Sequence, residues 1–135
     1  MTRAEKAKEY FMQGYACSQA VAMAFASDVG IDKGVAGKMT LPFGGGFGRL
    51  RLTCGAVSGM LAVYGLTATQ IPTTLENKKL VYEGTRELIS RFEKVNGSSV
   101  CAELLKTAEK RPCAEIVYTA AQILEEYLKE IGKLN

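Results

Sequence analysis

The sequence predicts an all-α protein, a compact bundle of about five to seven helices forming one domain over residues 1–135. Three observations point there. Apolar residues recur at helical spacing along most of the chain, capping residues and glycines punctuate those runs, and no alternating β-branched run is long enough to form a sheet.

In chain order, Ala7, Tyr10 and Phe11 give a short amphipathic helix from about Thr2 to Gln13, ended by Gly14. Ala16 to Val29 is rich in alanine and apolar nearly all round, which predicts a buried helix closed by Gly30. On it Cys17, Ala20, Val21 and Ala24 share one face. Asp32 caps a short helix running to about Met39, and Pro42 breaks the chain. Thr53 reads as the N-cap of an apolar helix ending at about Leu66 with Gly65 as terminator, which puts Cys54 at its first position. Gly55 and Gly59, four apart, open a groove on this helix, so it is expected to pack against the Cys17 helix. After a connector over residues 67–74 comes a long amphipathic helix, Leu75 to Val95, with a stripe of Leu80, Val81, Leu88, Ile89 and Phe92 and a stop at Asn96-Gly97. Ser98 and Ser99 cap a helix from Val100 to Glu109, with Cys101 in its first turn. Pro112 opens the last helix and places Cys113 in a first turn, ahead of Ile116, Val117, Ala120, Leu124, Tyr127, Leu128 and Ile131. Three of the four cysteines therefore stand at predicted helix starts.

Composition narrows the function. The chain is 47% apolar with a mean hydropathy of +0.02, and its longest uncharged apolar stretch, Cys54 to Leu66, falls short of the roughly 20 residues of a membrane span. The mixed charges of the first residues do not read as a secretory signal, so a cytoplasmic location is expected. There a permanent disulfide is disfavoured, and four cysteines call for metal binding or transient redox chemistry. Net charge is only +3, with basic and acidic residues interleaved, which gives no nucleic-acid footprint. Histidine is absent, which removes Cys-His catalysis and imidazole-ligated metals. Glu103, Glu109 and Glu115 read as covering exposed helix faces.

The stretch Gly44-Gly45-Gly46-Phe47-Gly48-Arg49 leads into the Cys54 helix. Without a preceding strand, or the Lys and Ser/Thr of a phosphate-binding loop, it reads as a turn whose arginines attract an anion. Helix-start amides and the nearby Arg49 and Arg51 should ease formation of the Cys54 thiolate. Gly48, Arg49 and Gly55 are accordingly the candidate cofactor-binding residues. No CxxC pair is present, so neither a thioredoxin-type site nor a zinc knuckle follows from spacing.

Cys17, the string Cys54-Gly55-Ala56-Val57-Ser58-Gly59, Cys101 and Cys113 together resemble the C_GCAxxG_C_C family of redox-active proteins. The resemblance implies a small helical protein with a redox or metal-centre role and supplies no substrate. The leading expectation is thiol/disulfide or electron-transfer chemistry, with Cys54 as the most reactive thiolate, Cys101 and Cys113 as resolving partners and Cys17 as the buried fourth. The alternative is a carrier in which the same four thiolates hold an iron–sulfur cluster or zinc. A third reading makes the cysteines inert and the domain an interaction module. The small residues of the Cys17 and Cys54 helices predict a homodimer, and the redox reading predicts a redox partner protein.

Overall fold

A computed structural model describes residues 1–106 and 112–135. Among them lie seven helices: α1 (Arg3–Met12), α2 (Cys17–Phe25), α3 (Lys33–Thr40), α4 (Gly55–Ala68), α5 (Leu75–Asn96), α6 (Cys101–Lys106) and α7 (Cys113–Glu130), with a glycine turn, Gly44–Phe47, between α3 and α4. The all-α class holds: among the described residues there is no strand, only one bridge pair, Thr53 with Val100. No helix among them is long and apolar enough to cross a membrane.

The chain begins with a reciprocal cap. Thr2 Oγ1 accepts the Glu5 N–H at 3.1 Å and the Glu5 carboxylate accepts the Thr2 N–H at 2.9 Å, which satisfies two donors that a helix start leaves open. Helix α2 is the centre of the fold. Every residue from Ala20 to Ala26 is buried, and α1, α3, α4 and α7 all pack on it. It ends at Phe25 rather than Val29, because residues 26–30 tighten into turns that close at Gly30, where φ is +74°. Of the alanines that suggested a dimer surface, Ala20, Ala22, Ala24 and Ala26 are covered within one chain and Ala16 is half-buried.

Helix α4 crosses α2 closely, as Gly55 and Gly59 predicted. A Cβ on Gly59 would lie 2.5 Å from the Ser18 carbonyl oxygen and 3.1 Å from its Cα, so only glycine permits this approach. Gly65 is not a terminator. The Thr69 N–H still reaches the Gly65 carbonyl at 3.0 Å, and the helix runs on to Ala68, whose carbonyl accepts from Asn77 Nδ2 at 2.9 Å.

Asn77 also explains a correction on α5. Its side chain is buried and accepts the Gln70 N–H, so the inward stripe runs Asn77, Gly84, Leu88 and Phe92, and Leu80 is left 60% exposed. Gly84 leaves room for the Tyr64 ring of α4. Helix α7 buries its predicted stripe up to Leu128 except for the half-buried Tyr127, and Ile131 falls beyond the helix end and is exposed. Glu103 is exposed and Glu115 pairs with Lys8 at 2.7 Å. Glu109 and the predicted end of its helix lie outside the described residues.

Candidate thiol site

The site begins with the glycine turn. Gly45, Gly46, Phe47, Gly48 and Arg49 stand in succession at φ of +66°, +72°, +63°, +59° and +67°, and Arg51 follows at +62°. Glycine enters that left-handed region freely, whereas each side-chain-bearing residue costs about 1–2 kcal/mol there. Phe47, Arg49 and Arg51 are therefore held in a conformation they would not choose. The Gly48 N–H bonds back to the Gly44 carbonyl and the Leu52 N–H to the Gly46 carbonyl at 3.1 Å, which closes the turn on itself. A Cβ on Gly46 would meet Leu52 N at 2.6 Å and Cys101 Cβ at 2.8 Å. The turn is packed directly against a cysteine.

Two backbone segments then bring Cys54 and Cys101 side by side. The Cys54 N–H donates to the Ser99 carbonyl at 2.8 Å, the Cys101 N–H to the Leu52 carbonyl at 2.6 Å, and the Ala102 N–H to the Arg51 carbonyl at 3.3 Å. This pairing draws Thr53 out of the N-cap role expected of it. Cys54 is the N-cap and α4 begins at Gly55. Cys17, Cys101 and Cys113 are the first residues of α2, α6 and α7. All four cysteines thus stand at helix starts, where the sequence placed three.

All four also line one cavity of about 870 Å³, together with the expected Gly48, Arg49 and Gly55, and with Arg51. Cys54 and Cys101 are buried, Cys17 and Cys113 half-buried. Arg51 Nη1 lies 3.7 Å from Cys101 Sγ in donor geometry.

The electrostatics reverse the expected order of reactivity. Interaction with the Cys54 thiol is the largest influence drawing Cys17 down to about 6. Burial opposes the shift, while the N–H groups of Gly45, Ser18 and Cys17 itself assist it. Cys54 is pushed far up for the complementary reasons: its proton is held by Cys17, it is buried, and it faces the charge on Cys17. The helix-start N–H groups of Ala56 and Val57 do favour a Cys54 thiolate, as the sequence argument required, but they are outweighed. The pair favours the thiolate at Cys17 over Cys54, and Cys17 is half-buried where the sequence reading made it the buried fourth. Cys113 is raised, first by burial and then by its nearness to the Cys17 and Cys101 thiols, with Arg51 acting the other way.

Among the described residues no three Cys, Asp or Glu side chains are placed to hold a metal ion, so a zinc or iron–sulfur centre has no ready ligand set in this arrangement.

Two supporting residues escaped the sequence reading. Ser18 is fully buried and its Oγ donates to the Thr40 carbonyl at 2.7 Å, which fixes the start of α2 against α3. Gln19 accepts the Ala16 N–H at 3.0 Å and donates to the Gly37 carbonyl at 3.0 Å. A glutamine three residues after a helix cap was the available signal for it. For Arg51 against Cys101, fifty residues apart in sequence, no local signal exists.

Gly55 is the tightest neighbour of the Cys17 sulfur, since a Cβ there would lie 2.5 Å from Sγ and 3.1 Å from the Phe43 carbonyl oxygen. Replacing Gly55 by Ala is expected to push the two sulfurs apart and move the Cys17 midpoint up by a unit or more, toward about 8.5. Thiol alkylation followed across pH measures it, and an unmoved midpoint contradicts the contact.

A family model described as "Putative redox-active protein (C_GCAxxG_C_C)" matches residues 15–127. The chain belongs to the C_GCAxxG_C_C family. The matched span of this C_GCAxxG_C_C protein holds the four cysteines, the glycine turn and both arginines of the cavity. No curated protein and no solved structure matches the chain.

Proposed function

We propose that this protein is a dithiol–disulfide exchange protein in which Cys17 is the attacking thiolate and Cys54 the resolving thiol. One observation carries the reading: half-buried Cys17 and buried Cys54 meet at two helix starts on the wall of one cavity, in a setting that favours the thiolate at Cys17 and keeps the Cys54 proton. The attacking thiol must be ionised and reachable, and its partner must stay protonated until it is needed.

Cys17 Sγ attacks one sulfur of a substrate disulfide. The substrate S–S bond breaks, its other sulfur leaves as a thiolate and takes a proton, and a mixed disulfide remains on Cys17. Cys17 is then neutral, so the interaction that held the Cys54 proton is gone. Cys54 ionises, attacks Cys17 Sγ and displaces the second substrate thiolate. The substrate has gained two electrons and two protons, and Cys17 and Cys54 are joined. In this reading Cys101 and Cys113, which line the same cavity, serve a later exchange with that disulfide.

Reaction of the reduced protein with 2-hydroxyethyl disulfide tests this by mass spectrometry. The wild type should lose two hydrogens and show a Cys17–Cys54 disulfide, and the Cys54→Ser variant should accumulate one hydroxyethylthio adduct on Cys17. Equal adducts on all four cysteines, or a wild type that forms no Cys17–Cys54 disulfide, refutes the assignment.

A further inference from the structure

The cavity carries a charge pattern that dithiol exchange alone does not require. Its lining includes two guanidinium groups, Arg49 and Arg51, and no aspartate or glutamate among the described residues. Every other arginine that forms an ion pair, Arg3 and Arg91, does so with carboxylates outside this cavity. Among the described residues neither Arg49 nor Arg51 has a carboxylate partner. Arg51 spends one donor on Cys101 Sγ, leaving the rest of its five N–H groups for another acceptor. The stem of Arg49 lies over the glycine turn, its Cγ 2.7 Å from where a Gly45 Cβ would stand, beside the amide that faces Cys17. Two guanidinium groups exceed the single thiolate at Cys17, so the wall keeps a positive excess when that sulfur is ionised. At about 870 Å³ the cavity matches the roughly 300–1,000 Å³ of sites that enclose small molecules. Leu104 and Leu105 add an apolar side suited to methylene groups.

We infer that the cavity takes a low-molecular-weight disulfide bearing carboxylates, whose anionic ends pair with Arg49 and Arg51 while its sulfur meets Cys17. This rests on the dithiol-exchange reading and names its substrate class. The chemistry balances within one turnover: the small disulfide accepts two electrons and two protons and leaves as two thiols, Cys17 and Cys54 supply both electrons and become a disulfide, Cys54 supplies one proton and solvent the other.

The test compares three small disulfides of similar size and different charge, 3,3′-dithiodipropionate (anionic), 2-hydroxyethyl disulfide (neutral) and cystamine (cationic), in single-turnover reaction with the reduced full-length protein. Each rate is divided by that of 2-mercaptoethanol with the same disulfide, which removes intrinsic differences in the leaving thiols. Two partly exposed ion pairs should make the normalised rate of the anionic probe about tenfold that of the neutral one, with the cationic probe slowest. The preference should fade as salt is raised and vanish in the Arg49→Gln, Arg51→Gln double variant. Because those positions have unusual backbone, the salt titration of the wild type stands on its own if the variant does not fold. Equal normalised rates or a preference for cystamine overturns the substrate class and leaves dithiol exchange standing. Intact substrates and four free thiols in every case overturn both.

Discussion

Alkylation of Cys17 by iodoacetamide should rise with a midpoint near pH 6, while Cys54 remains unmodified through neutral pH. The drop to about 6 makes Cys17 about 90% thiolate at pH 7, against about 3% for an ordinary cysteine, a gain of about thirtyfold in the reactive form. A less basic thiolate is also a weaker nucleophile, and with a Brønsted slope near 0.4–0.5 this takes back about tenfold. The net advantage at pH 7 is then only about threefold, but at pH 6 it exceeds about tenfold, because an ordinary thiol has almost no thiolate left. The discriminating measurement is therefore made on the acid side, by mass spectrometry of alkylated peptides. Replacing Cys54 by Ala removes the S–H donor that contributes most to the shift and should raise the Cys17 midpoint by a unit or more. Four thiols titrating together near about 8.5 would remove the basis for assigning Cys17 a separate role.

Replacing Gly59 by Ala should lower the melting temperature by about 10 °C. The added methyl would sit 2.5, 3.1 and 3.2 Å from the carbonyl oxygen, Cα and carbonyl carbon of Ser18, all backbone atoms that no rotamer change can move. Helices α2 and α4 must separate, and overpacking of this kind costs about 2–3 kcal/mol, which for a chain of this size corresponds to that change in melting temperature. Gly65 is the control on the same helix. Its nearest neighbour would be Thr69 Oγ1 at 4.0 Å, so Gly65→Ala adds a better helix former in open space and should stabilise by about 0.5–1 kcal/mol. Thermal unfolding followed by circular dichroism reads both, and unchanged melting of the Gly59 variant would show that the helices do not meet there.

Helix identity was legible because burial and capping speak through local pattern. The Asp32 cap, the nearly all-apolar α2 and the Gly55/Gly59 groove need only neighbouring residues to be read, and each is present. Boundaries slipped where distant residues intervene. Thr53 leaves its cap because Val100 pairs with it, α4 outruns Gly65 because Asn77 receives its last turn, and Leu80 turns outward because Asn77 takes the inner stripe. The site divides the same way. Helix-start placement marked Cys54, Cys101 and Cys113, and the glycines announced the turn beside them. The inversion between Cys54 and Cys17 was not legible, because it arises from one sulfur donating to another thirty-seven residues away and from the Gly45 amide.

The amide groups that hold the Cys17 thiolate also bias the reduction potential of the Cys17–Cys54 couple. Gly45 and Ser18 N–H groups stabilise a charge that exists only when the two sulfurs are unlinked. A disulfide carries no such charge and loses the benefit. At pH 7 the reduced form is favoured by about tenfold relative to a pair of ordinary thiols, which raises the two-electron potential by about 30 mV. Below pH 6 the thiolate is protonated and the increment disappears. The Cys54 thiol first, and after it the amide that the left-handed turn aims at Cys17, would thus make the proposed couple more oxidising at neutral pH than in acid, relative to unperturbed thiols.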